Sequence, residues 1–140
     1  MLNNISPAIW GYSHWKMLHI LASAYPTQPT ADDKTIIVEY INSYKKVIPC
    51  QKCRVNFEKH LTIYPLDDFA LATGINFRIW LRNMHNEVNK SLGKPLLTDD
   101  MIESIYLSSG TKSNKIIYLI VALIILFLAI YVAKRWICKK

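Results

Sequence analysis

Along the first 110 positions apolar residues recur with a period near 3.6 and never in sustained alternation, a pattern that predicts helices throughout. Residues 6–24 open with Ser6-Pro7, an N-cap followed by proline at the first helical position, and close before Tyr25-Pro26. Within them Trp15, Leu18, His19 and Ala22 fall at i, i+3, i+4 and i+7, so an indole and an imidazole share the inward stripe. A second helix is expected over residues 31–47, carried by Ile36, Ile37, Tyr40, Ile41 and Tyr44, and a third over residues 50–61 behind Pro49. Tyr64-Pro65-Leu66-Asp67-Asp68 reads as a turn. A longer helix then runs to Leu92 on the stripe Phe77, Trp80, Leu81, Met84, His85, Val88 and Leu92, and Gly93 and Pro95 stop it. A last helix is expected over residues 98–108. The predicted fold class is all-α, a bundle of four or five short helices.

The pattern changes after residue 110. A Ser/Gly/Thr/Lys hinge leads into residues 116–133, eighteen in a row without a charge, Pro, Gly, Asn or Gln. As a helix this run is roughly 27 Å long, close to the hydrocarbon core of a bilayer. Lys112 and Lys115 flank it on one side and Lys134, Arg135, Lys139 and Lys140 on the other, with Tyr118, Tyr131 and Trp136 near the two interfaces. The expected organisation is a soluble domain over 1–109, a hinge over 110–115, one transmembrane helix over 116–137 and a basic tail over 138–140. The first residues carry no signal-peptide pattern, so tail-anchored insertion with the domain on the cytosolic side is expected.

Charge follows the same partition. The chain carries a net +7, but six of those charges lie in the last thirty residues, which contain no acid. The first 110 residues hold 11 basic and 10 acidic side chains. That near balance removes the support that overall basicity would lend to nucleic-acid binding.

Candidate chemistry centres on cysteine. Cys50 and Cys53 form a Cys-x-x-Cys unit at a predicted helix start, where backbone N–H groups, the helix dipole, Lys52 and Arg54 all favour thiolate. Such a unit serves thiol–disulfide exchange or forms half of a zinc site that His60 or His85 would complete. A thioredoxin-like carrier would need the dithiol behind a strand of a βαβ unit, and helices surround it here. Cys138 lies beyond the apolar run.

Two flanking segments distinguish these readings. Trp10 to Pro26 reads WGYSHWKMLHILASAYP and Trp80 to Pro95 reads WLRNMHNEVNKSLGKP. With the dithiol between them, the chain resembles the FAD-linked sulfhydryl oxidases of the Erv/ALR family, whose ordered pattern is W-x-x-L-H-x-x-A-x-x-Y-P, C-x-x-C and H-N-x-V-N-x-x-L-x-K. The resemblance covers about residues 7–95 and implies a helical bundle binding FAD. It further implies that Trp15, His19, Cys53, His85, Asn86, Val88, Asn89 and Lys94 line the cofactor pocket, with Gly11, Tyr25, Trp80 and Leu92 as further members. The residue types suit a flat aromatic ligand with an anionic arm, since indoles and imidazoles stack and Lys94 can neutralise phosphate. The implied activity is thiol oxidation: a substrate thiolate attacks Cys50, a second resolves the mixed disulfide, and electrons pass from Cys53 to FAD and then to O2, giving H2O2.

Two departures from the family pattern matter. Tyr12 stands where many members carry an Arg after the Gly of the first motif, and Arg82 stands where larger relatives place one cysteine of a structural disulfide. Larger relatives also use a shuttle cysteine pair, which Cys138 alone cannot replace. The expected partners are therefore a dithiol protein substrate acting directly on Cys50–Cys53, O2 as acceptor, the membrane and a second copy of the chain paired through the first helices. Compact size, one dithiol and an anchor resemble the minimal oxidases of large cytoplasmic DNA viruses, which make disulfides in a reducing compartment. A virion or endoplasmic-reticulum membrane is the corresponding location. A zinc-binding adaptor without redox activity is the alternative.

Overall fold

The computed structural model describes residues 4–108, 119–120 and 122–125. The chain divides into two compact units, Met1–Leu107 and Ser108–Lys140. In the first, α1 (Pro7–Ala24), α2 (Ala31–Val47), α3 (Gln51–Ile63), α4 (Gly74–Ser91) and the short α5 (Asp99–Ile102) follow one another, and α5 runs into a turn of π-helix, Glu103–Leu107.

Each helix starts where the chain supplies a cap. Ser6 accepts from the Ala8 amide ahead of Pro7, and Thr30 and Asp33 form a reciprocal capping box on α2. Thr73 caps α4 through the Asn76 amide. The core forms where α1 packs on α4 and α3 packs on both α2 and α4. Phe77, Ile41, Leu81 and Met84 are its largest fully buried side chains. Gly74 lets α4 begin against the first loop, since a Cβ there would sit 2.7 Å from the Tyr25 carbonyl oxygen.

The predicted stripes hold with two exceptions. Ile36 and Tyr40 are exposed although α2 was expected to turn them inward; α2 buries only the Ile37, Ile41 and Tyr44 edge. Leu92 is 59% exposed, because α4 ends at Ser91 and the following turn takes Leu92 off the helical stripe. Arg82, at the position where larger relatives carry a cysteine, ion-pairs with Asp99 and so ties α4 to the start of α5.

Of the expected transmembrane segment 116–137, residues 119–120 and 122–125 are helical and exposed; the remainder, the hinge and Cys138 lie outside the described residues. Among the described residues no helix is long and apolar enough to cross a membrane.

Candidate active site

The dithiol sits at the start of α3, and the chain before it is tied down on both sides. The Ile5 amide donates to the Pro49 carbonyl at 2.8 Å, the Gln51 amide to Asn4 Oδ1 at 2.8 Å, and the Arg54 guanidinium to the Ile48 carbonyl. Cys50 is the N-cap, in extended conformation, and its Sγ accepts from the Cys53 amide at 3.1 Å. Cys50 and Cys53 are joined by a disulfide, with Cα atoms 5.1 Å apart. Helix geometry then distinguishes the two cysteines: both are half-buried, but Cys53 lines a cavity and Cys50 does not.

That cavity measures about 540 Å³ and runs between α1, α3, α4 and the segment after α4. Trp15 and His85 stand as stacked plates in its wall, ring centroids 3.7 Å apart and planes 5° from parallel. Behind them His19 Nε2 and His85 Nδ1 share a hydrogen bond of 3.0 Å, and Tyr106 packs on His19 at 5.0 Å. Burial holds both imidazoles neutral. It lowers His19 to about 4; it lowers His85 to about 3, helped by the nearby His19 and Lys94.

Lys94 reaches the wall because α4 ends in a Schellman turn. Gly93 takes φ +64°, its amide donates to the Lys90 carbonyl at 3.1 Å, and the Lys94 amide donates to the Asn89 carbonyl at 2.9 Å. Asn86 fastens the next stretch, donating to the Leu97 carbonyl at 3.0 Å and accepting from the Leu97 amide at 2.8 Å. Lys94 pairs with no carboxylate among the described residues, and no Asp or Glu lines the cavity.

The expected site residues therefore fall into two groups. Gly11, Trp15, Cys53, His85, Val88, Asn89, Leu92 and Lys94 border the cavity. Four others stand behind the wall: His19 backs His85, Asn86 pins residue 97, Tyr25 donates to the Leu71 carbonyl in the core, and the Trp80 indole donates to the Tyr64 carbonyl while stacking on Phe77. Sequence reasoning missed His14, Tyr44, Phe57 and Tyr106, which also line the cavity. His14 was legible in part, because it lies three residues after Gly11 on the same helical face. Its ring packs on Trp10 at 5.0 Å and on Tyr44 at 4.5 Å, its Nε2 is buried without a partner, and burial lowers its pKa.

These walls fit a flat, anionic, aromatic cofactor. The volume lies in the range of ligand sites, roughly 300–1,000 Å³. Aromatic plates offer stacking, a free ammonium offers a counter-charge, and a Cβ at Gly11 would meet nothing within 4 Å, so that side of the cavity is open. Zinc fits less well. The two sulfurs are joined, and among the described residues no three His, Cys, Asp or Glu side chains converge on one point, so the zinc alternative lacks its ligand set.

A short helical bundle that sets a disulfide against an aromatic cavity defines a dithiol redox protein with room for a flat cofactor. The Erv1 / Alr family description matches residues 12–107, and the chain belongs to that family. It is 42% identical over 102 residues to an Acanthamoeba polyphaga mimivirus protein named as a probable FAD-linked sulfhydryl oxidase, covering 72% of this chain and 71% of that one. It is 33% identical over 85 residues to the mitochondrial FAD-linked sulfhydryl oxidase of Saccharomyces cerevisiae, covering 61% of this chain but only 43% of the yeast protein. The crystal structure of the yeast Erv1 core superposes with a TM-score of 0.66 at 28% identity, over 78% of this chain and 89% of that one.

Proposed function

We propose that this protein is an FAD-linked sulfhydryl oxidase that makes disulfide bonds in partner thiols through Cys50–Cys53. The observation that carries this reading is the placement of one cysteine of a helix-start disulfide, Cys53, in the wall of the Trp15–His85 cavity, with Cys50 outside that wall.

The chain's own residues then act as follows. A substrate thiolate attacks Cys50 Sγ, forming a mixed disulfide and releasing the Cys53 thiolate. Its place in the first turn of α3, at the positive end of the helix dipole, favours that negative charge. A second substrate thiolate attacks the substrate sulfur of the mixed disulfide; the substrate leaves oxidised and Cys50 leaves as thiolate. Trp15 and His85 would hold the cofactor's rings and Lys94 its phosphates, with Gly11 leaving room. FAD, when bound, takes two electrons from the dithiol and delivers them to O2, giving H2O2.

The full chain purified in detergent should be yellow, absorbing between about 350 and 550 nm as a flavoprotein does. It should consume one O2 for each disulfide formed in dithiothreitol. Cys53→Ser should keep most of the flavin and abolish turnover; a colourless, folded protein or an active Cys53→Ser variant would sink the reading.

Three finer proposals accompany it. Residues 116–137 anchor the chain in a bilayer, a reading supported by the uninterrupted apolar run and by the exposed helical residues 119–120 and 122–125. The chain pairs with a second copy, since α1 leaves Ile9, Met17 and Ile20 exposed and α2 leaves Ile36 and Tyr40 exposed. The physiological donor is a dithiol protein that reaches Cys50 directly, because Cys138 offers no second pair to relay through.

A further inference from the structure

Two cavities meet at one pair of side chains. His85 lines the cofactor cavity, and His19, one hydrogen bond behind it, lines a second cavity of about 350 Å³. The second cavity is walled by α1, α4, α5 and the π turn, and carries Ser23, Arg78, Asp99, Asp100 and Glu103. Asp99 is held by Arg82, whereas Asp100 and Glu103 have no cationic partner among the described residues.

Each imidazole uses one nitrogen on the other and keeps one for a neighbour: Nδ1 of His19 and Nε2 of His85. A ring of this kind accepts a proton at one nitrogen while releasing another from its second, and two in series can pass a proton from one side to the other. The buried phenols that line the cofactor cavity do not share this ability. Burial raises the Tyr44 and Tyr106 phenols, so they keep their protons.

We propose that the His19–His85 pair conducts protons from the second cavity into the cofactor cavity, supplying the two protons that O2 takes up in becoming H2O2. This rests on the oxidase reading above. Oxidation of two substrate thiols to a disulfide releases two electrons and two protons, and the protons leave to solvent at Cys50. The electrons cross through Cys50–Cys53, whose sulfurs in the disulfide carry no proton, so O2 + 2 e⁻ + 2 H⁺ → H2O2 draws its protons from elsewhere. Neutral rings can relay only in concert, through the hydrogen bond they share. The rings, lowered by burial to about 4 and about 3 and faced by Arg78, Asp99, Asp100 and Glu103 on one side and Lys94, Tyr106 and Trp15 on the other, stay neutral, so a proton enters at Nδ1 of His19 only as another leaves Nε2 of His85.

The test is made on the detergent-solubilised, flavin-loaded full chain. His19→Gln keeps a hydrogen-bonding amide behind His85 but cannot relay. It should slow the oxygen half-reaction by at least about tenfold relative to the thiol half-reaction, within the range of general acid–base effects, and raise its solvent deuterium effect. Glu103→Gln, in the wall of the second cavity, should slow the oxygen half-reaction and leave the thiol half-reaction unchanged. A readout without turnover is nitrogen-15 NMR of the cofactor-free chain. The His85 ring N–H should exchange rapidly with water and slow in His19→Gln. Equal slowing of both half-reactions would reduce His19 to a support for His85 and overturn the relay, as would unchanged ring exchange. Absence of flavin or turnover in the unaltered chain overturns the oxidase reading instead and leaves the exchange measurement standing.

Discussion

Single residues set the chemistry through how far each is withdrawn from water. Cys50 and Cys53 are three positions apart, yet only Cys53 reaches the cavity, because a helix turns its third residue about 300° from its cap. The histidines show the energetic side. His19 and His85 titrate in the folded chain at about 4 and about 3, below the ordinary 6.5. Between those values the unfolded chain binds more protons than the folded one, so their contribution is fully present above about pH 6.5 and is lost as pH falls. Each proton taken up on unfolding weakens the fold by about 1.4 kcal/mol per pH unit. The Tm of the cofactor-free chain should fall on going from neutral to about pH 4, and less steeply in His19→Gln; a parallel fall in both would contradict the assignment. Sequence periodicity placed His19 and His85 on inward stripes correctly. It could not show that they touch, since 66 residues separate them.

Among the elements, the end of α4 decides whether Lys94 faces the cavity. Gly93 at φ +64° and the two amide bonds around it turn the chain back, and Asn86 holds the segment that follows. Gly93→Ala should cost about 1 kcal/mol in denaturant unfolding, because a Cβ opposes the left-handed conformation. It should weaken flavin retention by more than that loss explains, as Lys94 is displaced; retention at the unaltered level would show that the turn has no role in binding. Here the sequence was legible: Gly93 and Pro95 announced the stop. The exposure of Leu92 was not, since a periodic stripe carries no mark of the residue at which the helix gives way. Arg82 with Asp99 ties α4 to α5, but as a partly exposed ion pair it contributes on the order of 0–1 kcal/mol, far less than a covalent link.

The whole molecule combines a near-neutral helical unit with a strongly apolar, basic tail. The full chain should float with phosphatidylcholine vesicles and stay bound through a high-salt, high-pH wash, which removes proteins held only by charge; release by the wash would argue against a spanning segment. Sedimentation in detergent should give a dimer. Ile9→Asp combined with Ile36→Asp should shift it to monomer while the flavin stays bound, and an unchanged dimer would move the interface elsewhere.

What the sequence determined alone was local: helix starts from Ser6-Pro7 and Pro49, helix stops from proline and glycine, the inward stripes, the dithiol and the partition of charge. These are legible because capping, φ restriction and 3.6-residue periodicity act over a few neighbours. Only the tertiary structure decided that Trp15 stacks on His85, that Tyr25 and Trp80 belong to the core behind the cavity, and that His14, Tyr44 and Tyr106 complete its wall. A cavity is enclosed by side chains from helices distant in sequence, so its membership depends on how those helices pack.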